Sequence, residues 1–188
     1  ASGNWIYLIG VNNLFLSLNI YTISNMKNEI KQHLDKLNIT CQYFTHEPVT
    51  SVDRGKEIYA HEGIEGIHVK NLFLRNKKGS QHYLLTVMAD KEIDLKKISE
   101  LVEDRKLGFA SEDRLWKYLE IKPGSVSPLA LVNDTERHVK VVFDEDIFKN
   151  DKIHIHPGIN SQSVVMDTKD LQMYVESLSY EIFYIETT

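Results

Sequence analysis

Lys70 is the first residue whose type and setting ask for an explanation. It stands in Val69-Lys70-Asn71-Leu72-Phe73-Leu74, and in an extended segment side chains alternate, so its ammonium shares a face with Leu72 and Leu74. A lysine on an apolar face snorkels to water, meets a partner or serves a ligand. The loop Pro123-Gly124-Ser125-Val126-Ser127-Pro128 is a second candidate. Two prolines and a glycine make a tight turn, and glycine admits close backbone approach to a ligand. Successive amides in such a loop bind a carbonyl or an oxyanion, the plain alternative being a turn and nothing more. A third is His154-Ile155-His156-Pro157, whose two imidazoles share one strand face. A metal would need further ligands, and no HExxH or paired-cysteine motif supplies them, so no metal site is expected. One histidine acting as a hydrogen-bond donor or an acid–base group is the better reading.

Other nucleophile and nucleotide signatures are missing: there is no GxSxG, no GxxxxGK[ST] and no GxGxxG after a strand. The single cysteine, Cys41, excludes an internal disulfide and suits a reducing compartment. It falls in an apolar stretch that reads as a core strand, so packing explains it better than nucleophilic chemistry.

The elements that must carry these residues follow from periodicity. Met26, Ile30, Leu34 and Leu37 form one helical face behind a Ser24 cap, and Cys41–Phe44 reads as a short strand. Val52–Ala60 suits a helix ended by Gly63 and Gly66. Ile67–Asn76 and His82–Met88 read as two strands joined at Lys77-Lys78-Gly79-Ser80. Leu95–Val102 and a Ser111-capped segment bearing Leu115, Tyr118 and Leu119 read as helices. The last third reads as strands at Leu129–Asn133, His138–Phe143, Lys152–His156, Ser163–Met166 and Glu181–Glu186. Between the last two lies a helix opening at Asp167 or Thr168, with Leu171, Tyr174, Val175 and Leu178 on one face. Strands and helices mix without a strict βαβ rhythm, which predicts an α+β fold with a central mixed, mainly antiparallel sheet flanked by helices.

A chain of 188 residues suits one core, and 42% apolar with 26% charged residues excludes disorder over most of it. The net charge of −5 excludes a uniformly basic nucleic-acid coat. Charge is uneven, however: residues 70–122 carry 12 basic and 9 acidic side chains, residues 123–188 only 5 against 11. A local basic face meeting phosphates fits that asymmetry, as does an ordinary solvated surface. Trp5–Tyr21 is apolar but interrupted by Asn12, Asn13 and Asn19, too short and polar for a membrane span and without the basic start of a signal peptide. Ala1-Ser2-Gly3 reads as a cloning remnant and Met26 as a candidate native start. Residues 1–24 are therefore set apart as an extension of unassigned role, with one domain over 25–188.

Four segments together resemble the YbaK/ProX family of aminoacyl-tRNA editing domains, closest to its prolyl-tRNA branch. They are His68-Val69-Lys70-Asn71-Leu72-Phe73-Leu74-Arg75, Lys106-Leu107-Gly108-Phe109-Ala110-Ser111, Pro123–Pro128, and His156-Pro157-Gly158-Ile159-Asn160. Each is weak singly; their order and spacing match over roughly residues 26–185. The resemblance implies a cytoplasmic, cofactor-free deacylase that removes the wrong amino acid from mischarged proline tRNA, alanine above all. A synthetase pocket built for a larger apolar side chain rejects a smaller one poorly, so a second site hydrolyses the error. By the same resemblance Lys70 is the essential lysine, holding the 3′-terminal phosphate or the ester, and His156 is a pocket histidine that positions water. Asn71, Phe73, Gly124, Ser125, Val126, Pro128, Asn160 and Ser163 are the implied substrate-binding residues. Catalysis would rest on positioning, electrostatics and the substrate's own ribose hydroxyl. The implied partners are tRNA and prolyl-tRNA synthetase, in cis or in trans. One departure stands out. The branch leads one to expect a small-residue and threonine-rich run after Asn160, where this chain has Ser161-Gln162-Ser163-Val164-Val165. Side-chain selectivity therefore stays open, with cysteinyl-charged proline tRNA the alternative substrate and a non-catalytic tRNA-binding module the alternative class.

Overall fold

In the computed structural model, which describes residues 28–49 and 51–187, the first described helix, α1 (Asn28–Lys36), turns Ile30 and Leu34 fully into the core. Ser24, Met26 and the proposed extension lie outside the described residues. The next helix, α2 (Val52–Glu62), is capped by Ser51, whose hydroxyl accepts from the Arg54 amide at 3.2 Å, and ends on left-handed Gly63. Asp94 caps α3 (Leu95–Leu101), and Ser111 caps α4 (Glu112–Leu119) as expected. Helix α5 (Thr168–Ser177) starts after Asp167 and buries Leu171, Tyr174 and Val175.

Among the described residues eight strands form one sheet: β1 (Gln42–Thr45), β2 (Ile67–Arg75), β3 (His82–Met88), β4 (Gly108–Phe109), β5 (Val139–Asp144), β6 (Lys152–Ile155), β7 (Gln162–Asp167) and β8 (Ile182–Ile185). Their order is β1-β7-β6-β2-β3-β5-β8, with β4 added to β2. Four of the pairings are antiparallel and three, β2–β6, β3–β5 and β5–β8, are parallel. The fold is the mixed α+β sheet the sequence predicts.

One expectation fails. Residues 129–133 form no strand; Pro128–Asn133 is a 3-10 helix. Pro128 has a preset φ and no N–H for a ladder, while the Ser127 hydroxyl accepts from the Leu129 amide at 3.2 Å. Leu129, Ala130 and Leu131 are consecutive and all buried, so the segment never had a strand's alternation. Strand β6 also stops one residue short of His156, and β4 was not foreseen.

Alternation along the strands divides the core. Val69, Phe73, Leu84, Val141 and Phe143 face the main cluster with α1, the 3-10 helix and α5. Leu74, Tyr83, Leu85, Val87 and Val142 face the opposite side beneath Ile98 of α3. On that same side a smaller cluster packs Ile58 and Tyr59 of α2 against Val165 of β7.

Strand β2 is where the sheet opens. One edge pairs with β3 from Val69 to Arg75. The other pairs with β6 only at Ile67 and His68, and with β4 only at Leu74 and Arg75. Residues 69–72 have no strand partner on that edge among the described residues. Gly66 starts the opening: at φ +91 it lies so close to β6 that a Cβ would meet backbone atoms of Lys152 and Ile153 at 3.1 Å.

Candidate active site

The parallel register pairs Ile67 with Ile153 and His68 with His154. Two residues onward on the same two strand paths stand Lys70 and His156, one on each side of the opening. Lys70 is half-buried, opposite Val87, with its ammonium donating to the Lys91 carbonyl. It takes the face of Leu72 and Leu74, as its place in the strand predicts.

His156 lies in a group of rings roofed by Tyr59. The His68 and His154 rings stack at 5.0 Å, and Tyr59 packs against them at 4.9 and 4.3 Å. The His156 Nδ1 sits 2.7 Å from the Gln162 carbonyl, which can only accept. In neutral His156 the proton is therefore on Nδ1, and Nε2 offers a lone pair, 3.5 Å from the Tyr59 hydroxyl. Burial lowers the pKa of His156, a shift partly opposed by the Gln162 carbonyl, and keeps it neutral at pH 7. Burial also lowers His68 to about 4 and, aided by His68, His154 to about 3. The backbone of Glu65 and Gly66 lies near enough to favour charged His154 slightly, yet neither ring nitrogen of His154 has a partner with hydrogen-bond geometry. Nδ1 of His68 is likewise buried and unpaired.

Ser163 is buried on β7, its hydroxyl 3.0 Å from His46 Nε2 and hydrogen-bonded to Tyr59. The His46 Nδ1 donates to the Glu47 carbonyl at 2.8 Å, so its Nε2 is the acceptor that meets the Ser163 hydroxyl. Asn160 holds the segment before α2: its carbonyl accepts from the Val49 amide at 3.0 Å. Its side-chain amide donates to the Val49 carbonyl at 3.5 Å and is the nearest neighbour of Gly124, 3.7 Å from where a Cβ would stand. Gly124 has φ +82, a conformation that costs glycine nothing and strains other residues. Ser125 is buried, Val126 half-buried and Pro128 buried. The amides of Ser125, Leu129 and Ala130 are bonded within the loop, to Lys122, Ser127 and Ser127 respectively.

Asn71 and Phe73 do not join Lys70. Both face the other side of the sheet, where the Asn71 side-chain oxygen accepts from Thr86 at 2.8 Å and Phe73 is core, stacked on His82 at 5.6 Å. Cys41 lies just before β1, half-buried, and burial pushes its thiol up to about 12, so it is no nucleophile at neutral pH. His46 and Tyr59 were not foreseen. His46 lies in the loop after β1 and Tyr59 on α2, with no shared spacing, and only the packing of α2 over the sheet unites them.

A family model described as the aminoacyl-tRNA editing domain matches residues 46–174, which hold every one of these site residues. The chain belongs to the aminoacyl-tRNA editing domain family. As a member it is an enzyme, an aminoacyl-tRNA deacylase. The editing domain is 40% identical to the prolyl-tRNA editing protein ProX of Acetoanaerobium sticklandii over 151 residues, 80% of this chain and 91% of that protein. It is 31% identical to prolyl-tRNA synthetase associated domain-containing protein 1 of Danio rerio, over 83% of this chain and 84% of the relative. In fold it is similar to a crystal structure given the provisional name of a trans-editing enzyme for prolyl tRNA synthetase. The TM-score there is 0.65 at 18% identity, covering 85% of this chain and 96% of that one. Among the described residues, no helix of the editing domain is long and apolar enough to cross a membrane.

Proposed function

We propose that this editing domain, spanning residues 25–188, hydrolyses mischarged proline tRNA in trans, with alanyl-tRNA(Pro) as its substrate and prolyl-tRNA synthetase as the enzyme whose errors it removes. The observation that carries the reading is the sheet opening, which has an ammonium on one side and a neutral imidazole on the other. In this mechanism the ester carbonyl lies in the opening and Lys70 leaves the Lys91 carbonyl to bind the 3′-terminal phosphate or the developing oxyanion. His156 Nε2 accepts a hydrogen bond from the attacking water and orients it. Water adds to the carbonyl carbon, the ester bond to the ribose oxygen breaks, and the ribose leaves with the proton, aided by its neighbouring hydroxyl. The Gly124–Pro128 loop and Asn160 enclose the aminoacyl group, and Ser163, with His46 behind it, borders the space for its side chain.

A basic cleft supports the tRNA reading. Arg75, Lys77, Lys78 and Arg114 line a cavity of about 400 Å³, and the Phe109 ring beside it is 64% exposed. Arg75 lies five residues along β2 from Lys70, about 16 Å at about 3.3 Å per residue, and on the face of Phe73, so a tRNA held there would reach Lys70 around the edge of the sheet. Guanidinium and ammonium groups there suit phosphates, and an exposed ring suits a base.

The test is ester loss from alanyl-, cysteinyl- and prolyl-charged proline tRNA, with Lys70→Ala alongside. Lys70-dependent loss of alanine alone is the expected result. Preferential loss of cysteine would move the specificity and keep the mechanism. Full activity of Lys70→Ala would overturn the role given to that residue.

A further inference from the structure

The carbonyl that receives Lys70 belongs to a residue held with unusual firmness. Lys91 lies in the loop between β3 and α3, and its ammonium reaches two carboxylates and the chain end at once. It is 2.9 Å from Asp144 Oδ2 and 2.5 Å from Asp146 Oδ2, and it donates to the Thr187 carbonyl at 2.7 Å and the Thr187 hydroxyl at 3.1 Å. The Thr187 hydroxyl in turn donates to Asp144 at 2.7 Å. Asp144 is fully buried at the end of β5, where its other oxygen accepts from the Asp146 amide at 3.2 Å. Burial works against the charge on Lys91, yet the hydrogen bonds to Asp146 and Asp144 outweigh it and raise its pKa. Three chain segments far apart in sequence thus meet on one ammonium.

A backbone carbonyl turns with its peptide plane, and a loop carbonyl is held only as well as its flanking groups are. Here the side chain of the very residue that offers the carbonyl is tied to β5 and to the C-terminal segment, and its amide donates to the Met88 carbonyl at 3.2 Å. We propose that the Lys91–Asp144–Thr187 clamp positions Lys70, making Lys91 a positioning residue for the deacylation reaction and the C-terminal segment part of the support of the active site. The inference rests on the role proposed for Lys70. Lys91 touches no reacting atom; it sets where the Lys70 ammonium waits before substrate arrives.

Lys91→Met keeps the carbonyl and removes the ammonium; Lys91→Arg keeps a cation that can reach the same acceptors. The expected result is a 10- to 100-fold loss of kcat in Lys91→Met with KM within about threefold, and substantial recovery in Lys91→Arg. Combined with Lys70→Ala, Lys91→Met should cost almost nothing more, because its effect runs through Lys70. Full additivity of the two losses would overturn the clamp. A readout independent of turnover is the rate at which an amine-reactive ester labels Lys70 in the folded protein, followed by mass spectrometry. Labelling should rise severalfold in Lys91→Met and return toward wild type in Lys91→Arg; unchanged labelling would overturn the proposal even if the enzyme acts on another ester. Lys70→Ala with full activity defeats the functional reading instead, so the two failures are distinct. Should Lys91→Met not fold, Asp146→Asn, which weakens the clamp at its partly exposed end, undergoes the same labelling with the same expected rise.

Discussion

Two histidine clusters sit in this sheet, and they solve the burial of imidazole in opposite ways. In the first, His82 is fully buried between β3 and α4, and a guanidinium N–H of Arg114 lies 2.9 Å from its Nε2. Guanidinium only donates, so that Nε2 must accept, which puts the His82 proton on Nδ1, where it is donated to His138 Nε2 at 2.9 Å. Tyr118 stacks on His138 at 4.4 Å, and burial, with His138 and Arg114 nearby, lowers His82 to about 4. Each nitrogen of His82 has a partner. In the second cluster, His68, His154 and His156 are also neutral, but His154 has two unpaired nitrogens and His68 one. A buried polar atom without a partner costs free energy that natural folds seldom leave uncompensated. The contrast teaches that a satisfied network serves the fold, whereas unpaired imidazoles gather at the opening where substrate chemistry is proposed.

The comparison can be broken most sharply by activity. Lys70→Ala should lower kcat/KM for alanyl-tRNA(Pro) by about 100-fold or more, while Tm shifts little. His156→Phe removes the Nε2 lone pair and should cost about 10- to 100-fold; steady-state deacylation kinetics check both. His82→Phe should leave those kinetics within about twofold, so an equally large loss there would erase the distinction between the clusters.

Acid is the next lever. His68, His154 and His82 titrate near 6.5 in the unfolded chain and at about 4, 3 and 4 when folded. Between those values the unfolded state holds more protons, so stability is full above pH 6.5 and falls as pH drops toward 4. The full loss is at most about 3 kcal/mol each for His68 and His82 and about 5 kcal/mol for His154, the last complete only near pH 3. Denaturant melts at pH 7.0, 5.5 and 4.5 should show it, and His154→Phe should flatten the slope.

Smaller effects separate the clusters at neutral pH. His82→Phe strands the Arg114 donor and one acceptor of His138 and should destabilise by about 1–2 kcal/mol. His154→Phe removes two unpaired polar atoms at similar volume and should lie within about 1 kcal/mol of wild type, with stabilisation the expected sign. Chemical denaturation measures both; a large loss in His154→Phe would show that its nitrogens had a partner after all.

Much of this was legible in the chain itself. The helix from Val52 and the Ser111-capped helix follow local rules, and the strands from Ile67 and His82 follow alternation, because caps and pleats act over a few residues. Alternation also put Lys70 on the face of Leu72. The same rule, applied one residue on, would have sent Asn71 and Phe73 to the opposite face, although the family resemblance groups all three. The 3-10 helix at Pro128 was missed because an apolar run buried on every side carries no period.

What the sequence alone determined is the family, the α+β class, and the identity of Lys70, His156 and the Gly124–Pro128 loop as the groups to watch. Those rest on motifs and short-range sterics, which a linear chain states directly. Only the tertiary structure decided that β6 leaves β2 after His68, opening the sheet beside Lys70. It also decided that Tyr59 and His46 reach His156 and Ser163, and that Lys91 is anchored by Asp144 and Thr187. Each of these depends on contacts between residues dozens of positions apart, and the free energy that selects them comes from burying whole faces together, which no local pattern encodes.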